Sequence, residues 1–126
     1  MTVPGTLHDL TGSARRTNAP RVLRPVSADF HATVRVTGDV MPTAPPAPGS
    51  SVAFHGAGLL VWDDGRGFFR LERAAFVRGG QAQEYVLSSF QPTGGFAVEE
   101  NRPYGGGPVE LRVELRDGAL SPRTGP

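Results

Sequence analysis

The stretch Pro108-Val109-Glu110-Leu111-Arg112-Val113-Glu114-Leu115-Arg116-Asp117 decides the fold class. Val109, Leu111, Val113 and Leu115 recur at every second residue, with Glu110, Arg112, Glu114 and Arg116 between them. A period of two is that of a β-strand, whose side chains alternate between the faces of a sheet. One face is apolar and the other is a ladder of alternating charge. That is a half-buried strand with a solvated outer face, the usual condition of an antiparallel sheet.

Outward from this strand, the same pattern recurs. Asp29 to Val36 places Phe30, Ala32, Val34 and Val36 on one face and His31, Thr33 and Arg35 on the other. Gly58 to Asp64 is more continuously apolar through Leu59, Leu60, Val61 and Trp62. Such a run is expected where both faces of a strand are covered. Asp63-Asp64-Gly65-Arg66-Gly67 is turn chemistry, so Gly67 to Phe76 is expected to return as a hairpin partner. Gly79-Gly80 signals a second hairpin into Gln83 to Gln91. Arg21 to Val26 and Gly95 to Glu99 read as shorter strands. About six or seven strands at these spacings predict a sandwich or barrel. No long window carries helical periodicity free of Gly and Pro.

The chain of 126 residues suits one domain. The expected limits are an irregular segment over 1–19, a β-sandwich over 20–120 and a tail over 121–126. Met41 to Ser50 is Pro-rich and cannot supply a run of ladder donors, so it reads as a loop between strands. The absence of Cys excludes disulfides, thiolate metal sites and cysteine nucleophiles. With 13 basic and 12 acidic residues the formal charge is +1, which gives no reason to expect nucleic acid as a partner. All the basic residues are Arg, and Ile is missing as well as Lys. The double absence points to a GC-rich coding bias and weakens any reading built on Arg count. No apolar run approaches the ~20 residues of a membrane helix, and the first ten residues carry no secretory leader pattern. No membrane partner and no cofactor are expected.

Two runs carry a family resemblance. One is Asn18-Ala19-Pro20-Arg21-Val22-Leu23-Arg24-Pro25-Val26 with Asp29-Phe30 and Thr33-Val34-Arg35-Val36. The other is Gly56-Ala57-Gly58-Leu59-Leu60-Val61-Trp62-Asp63-Asp64 with Phe69-Arg70-Leu71-Glu72-Arg73-Ala74. In order and spacing they resemble the domain-of-unknown-function family of concanavalin-A-like lectin/glucanase sandwiches labelled "regulation of enolase" type, over roughly residues 18 to 117. The resemblance implies a jelly-roll sandwich used as an accessory module in larger bacterial proteins. It implies no agreed activity, and its association with sugars is an analogy between folds. Members continue past the strand matching Val109 to Leu115 with further strands, so the chain is expected to lack its closing strands and to behave as a fragment.

Candidate sites follow from residue type and parity. Glycoside hydrolysis needs two carboxylates about 5–5.5 Å or 6.5–9.5 Å apart across a cleft. Glu72 shares its strand face with Arg70, Glu110 and Glu114 alternate with Arg112 and Arg116, and the adjacent Glu99 and Glu100 point to opposite faces. Ion pairing is the favoured reading of these acids, and no catalytic residue is expected. His8, His31 and His55 have no ligand spacing. Asp63-Asp64-Gly65 resembles the start of a calcium loop without its later acids, so a turn is favoured and no metal is expected. Gly94-Gly95 and Gly105-Gly106-Gly107 read as turns rather than phosphate loops, since no Lys exists and no helix follows. The aromatics Trp62, Phe68, Phe69, Phe76, Tyr85, Phe90, Phe96 and Tyr104 either fill the core or offer stacking surfaces for a sugar. Parity puts Trp62 near the end of its strand, and Phe68, Arg70 and Glu72 on one face of the next. The candidate ligand contacts are therefore Trp62, Arg70, Glu72 and, from a loop, Tyr104. The expected function is a non-catalytic, lectin-like module that binds carbohydrate or a protein surface. The alternatives are a purely structural domain and a glycosidase.

Overall fold

The computed structural model describes residues 10–11, 16–17, 21–43, 45–46, 52–63 and 65–125. Its strands are β1 (Leu10–Thr11), β2 (Arg16–Thr17), β3 (Phe30–Val36), β4 (Val52–Asp63), β5 (Gly67–Arg78), β6 (Gln81–Pro92), β7 (Val98–Pro103), β8 (Val109–Arg116) and β9 (Ala119–Gly125). There is no helix among the described residues. Two antiparallel sheets pack into a sandwich, one of order β3-β8-β9 and the other of order β4-β5-β6-β7. A two-residue ladder of β1 with β2 stands apart within the N-terminal segment that the sequence left irregular.

The apolar alternation of β3 and β8 lies in register, Ala32 opposite Val113 and Val34 opposite Leu111. Val109, Leu111 and Val113 are fully buried and meet Phe69, Leu71 and Ala75 of β5 across the core, with Leu59 and Val61 of β4 packed against them. On the solvated face of β8, the Glu114 carboxylate forms ion pairs with Arg112 at 3.7 Å and with Arg116 at 2.7 Å, the expected charge ladder. Burying a Leu or Val of this kind is worth about 1.5–3 kcal/mol each, so this inter-sheet seam is the main source of cohesion.

The three long strands β4, β5 and β6 form two hairpins with twelve paired positions each and no bulge. Gly79 and Gly80 make the second turn with φ of +58° and +78°, the left-handed pair that a two-residue hairpin of matching twist requires. In the first turn Asp63 Oδ1 accepts from the Gly65 N–H, so its carboxylate serves the turn.

Four expectations are corrected. Arg21 to Val26 is not a strand; Val22, Leu23 and Val26 are exposed and no sheet partner reaches them among the described residues. Pro25 also removes a donor from that run. The strand expected over Gly95 to Glu99 is Val98–Pro103, because Gly94 (φ +71°) and Gly95 are spent on the turn after β6. The strand with buried side chains on both faces is β5, interior to its sheet, rather than the apolar end of β4, which is an edge. Residues 121–125, expected as tail, pair with β8 as β9. Asp117-Gly118, with φ of +51° and +79°, turns that hairpin. The Asp29 carboxylate accepts from the Asp117 N–H at 3.0 Å and steadies it.

Candidate functional site

Odd-numbered residues of β5 face the core, so even-numbered ones face outward, and the hairpin registers carry that parity across the sheet. Trp62 lies opposite Phe68 and Leu60 opposite Arg70, with Gly58 opposite Glu72 and Phe54 opposite Phe76. On the far side of β5, Ser89 lies opposite Arg70 and Gln83 opposite Phe76. β7 adds Glu99 beside Ser89 and Asn101 beside Leu87. The outer face of the four-stranded sheet thus gathers most of the chemistry in the chain.

Its centre is ionic. Arg70 is 4% exposed. Its guanidinium contacts Glu72 Oε1 through Nη1 and Glu99 Oε1 through Nη2, each at 3.6 Å. Ser89 Oγ donates to the same Glu99 oxygen at 3.5 Å. These contacts are longer than a charge-assisted hydrogen bond of about 2.7–2.9 Å. Arg70 Nε has no hydrogen-bond partner among the described residues. The Glu72 carboxylate lies over Gly56, where a Cβ would come within 2.7 Å of Oε2. The Glu99 side chain is 44% exposed and forms the accessible edge of the cluster.

Aromatic groups flank this centre at both ends. Trp62 stacks on Phe68 with centroids 5.0 Å apart and planes within 7°, and the Arg21 guanidinium lies 4.9 Å from the Trp62 ring centre. At the other end Phe54, Phe76 and Tyr85 pack in sequence at 4.9 and 5.4 Å, the last pair edge to face. From that end an open groove of about 350 Å³ runs between Phe76, Tyr85, Gln83, Asn101 and Glu99. The Tyr85 hydroxyl donates to Gln83 Oε1. Amides carry both donors and acceptors, and an aromatic ring offers an apolar face, so the groove suits an amphipathic, hydroxyl-rich ligand.

Three of the four sequence-predicted contacts, Trp62, Arg70 and Glu72, come together on this face. Tyr104 does not join them. It packs against the core from the opposite side, and its hydroxyl donates to the carbonyls of Gly107 (3.2 Å) and Pro108 (2.8 Å). Sequence reasoning missed Ser89, Glu99, Gln83 and Asn101. The Gly79-Gly80 turn, which sets the β5–β6 register, was the signal for Ser89 and Gln83; the position of β7 had none. His31 and His55 are exposed on separate sheets, and His8 and Asp64 lie outside the described residues. Among the described residues no group of three His, Asp or Glu is placed to hold a metal ion.

Comparison with protein-family models, curated proteins and solved structures finds no match for the chain.

Proposed function

We propose that this chain is a non-catalytic, lectin-like β-sandwich module that binds carbohydrate on the outer face of its four-stranded sheet. The observation that carries the reading is the groove that Glu99 lines together with side-chain amides and the rings of Phe76 and Tyr85. The resemblance to concanavalin-A-like sandwiches agrees with it, as an analogy of fold. Glu72 and Glu99 are tied to one guanidinium rather than opposed across a cleft, which favours binding over glycosidic hydrolysis.

A second reading, a purely structural domain, is favoured by the burial of Phe68 and Arg70. A glycan array separates the two. Under the binding reading the chain retains a subset of glycans, and Tyr85→Ala and Asn101→Ala lose that signal with little change in melting temperature. An empty array, with both variants altering stability alone, sinks it in favour of the structural domain.

A further inference from the structure

The groove on the outer face differs from one end to the other. Its lining runs from Arg78 and Gln81, opposite one another at the β5–β6 turn, to Glu99 beside Ser89. Gln81 and Ser89 are eight residues apart on β6, about 26 Å at a rise of roughly 3.3 Å per residue. Exposed charges act over only ~8 Å at physiological salt, so neither end neutralises the other. At the Arg78 end the polar groups are donors. Arg78 is exposed and enters no ion pair among the described residues. The acids of this face, Glu72 and Glu99, both pair with Arg70 instead. Gln83 is the diagonal neighbour of Arg78 across the ladder, within reach of a long side chain. Its Oε1 already accepts from the Tyr85 hydroxyl, so the groups of this amide left open are its two Nε2 donors. The Glu99 end is the reverse. Arg70 and Ser89 both use Glu99 Oε1, which leaves Oε2 as an acceptor, with the Asn101 amide next along β7 on the same face.

We infer that the groove takes an acidic sugar chain, with its anionic substituent at Arg78 and Gln83 and its hydroxyls at Glu99 and Asn101. The inference rests on the carbohydrate-binding reading above and adds the charge and the direction of the ligand. A guanidinium presents a planar fork of donors that matches a carboxylate or another oxyanion, and a neighbouring amide N–H adds a bond to the same group. A carboxylate such as Glu99 accepts from hydroxyls and repels anions, so it receives the uncharged end. Phe76 and Tyr85 lie between the two ends and offer apolar ring faces to the sugar rings themselves. A neutral chain would satisfy Glu99 and Asn101 and leave the Arg78 charge unanswered.

The test is an array of neutral, uronate-bearing and sulfated glycans, followed by titration of the acidic glycan retained best and of its neutral counterpart. The expected result is a preference for acidic chains that weakens with added salt. The uronate and sulfate arms decide which anion Arg78 takes. Arg78→Gln is expected to lower affinity for the acidic chain about tenfold, to the level of the neutral one. Gln83→Glu keeps the shape of the side chain and an acceptor for Tyr85 while replacing the donors with a negative charge, and is expected to lower it at least as far. Arg116→Gln removes the same charge from the three-stranded sheet and is expected to leave the preference intact, which separates the groove from the net charge of the chain. Equal affinity for acidic and neutral chains, or an acidic preference that survives Arg78→Gln, overturns this inference and leaves the carbohydrate-binding reading standing. An empty array overturns both. Should Arg78→Gln lose the wild-type circular dichroism spectrum, Gln83→Glu decides by the same criterion.

Discussion

Two arginines three residues apart on β5 divide the molecule between them. Both are almost fully buried, at 4% exposure for Arg70 and 3% for Arg73, and both leave Nε without a hydrogen-bond partner among the described residues. Strand parity sends them to opposite faces. Arg73 points inward, where Nη1 donates to the Gly38 carbonyl at 2.7 Å and Nη2 to Glu84 Oε1 at 3.1 Å. It thereby ties the segment leaving β3 to the four-stranded sheet. Its acid is fixed in turn, since the Glu84 carbonyl accepts from the Tyr104 N–H at 2.9 Å. Arg70 points outward to two carboxylates at 3.6 Å, one of them well exposed. A guanidinium held by short bonds to β6 and to the segment leaving β3 is a clamp. One held only by contacts of 3.6 Å, next to the groove that Glu99 lines, is not. Burial and charge are the same in both, so neither identifies a site; what the arginine faces does.

Substitutions can break or sharpen that contrast. Arg73→Ala is expected to have the largest effect, about 3 kcal/mol of lost stability, because it leaves the Glu84 carboxylate uncompensated and the Gly38 carbonyl unpaired. Chemical denaturation measures it, and a loss below about 1 kcal/mol would end the description of Arg73 as a clamp. Arg70→Ala is expected to cost less, about 1–2 kcal/mol, since its contacts are long and Glu99 keeps access to water. It should weaken glycan retention by releasing Glu99, which lines the groove, while Arg73→Met, studied at a temperature where it stays folded, keeps it. Equal stability losses for Arg70→Ala and Arg73→Ala would erase the distinction. Glu99→Gln is expected to change stability by less than about 0.5 kcal/mol, as partly exposed pairs do, yet to change ligand retention measurably by titration calorimetry. Arg116→Ala, which removes a short but exposed pair with Glu114 on the solvated face of β8, is expected to have the smallest effect on thermal melting and none on binding.

The readable parts of the fold were those where one strand's own alternation carries the information. β3 and β8 could be placed on the core from Val34, Val36, Val109, Leu111 and Val113 alone, because their outer faces are polar. β5 was harder, since Phe68, Phe69, Arg70, Leu71, Arg73, Ala74 and Ala75 are all buried and the alternation is muted. β9 was missed although Asp117-Gly118 is a strong hairpin signal, because Ala119 to Gly125 contains Pro and little apolar content. The edge position tolerates both. Of the candidate site, parity was enough to set Arg70 and Glu72 on one face with Trp62 one strand away. It could not bring in Glu99, which lies 27 positions beyond Glu72 and reaches Arg70 only through β6.

By itself, then, the sequence determined an all-β antiparallel chain, its principal turns, and which residues of each strand share a face. These are local properties, governed by a period of two and by the backbone preferences of Gly, Asp and Pro. Only the tertiary structure decided which faces are covered, which edges are left open, and which of two similar arginines became a clamp. Those depend on the order of strands in a sheet and on how the sheets stack. Both are set by contacts between residues far apart in the chain, and no local period records them.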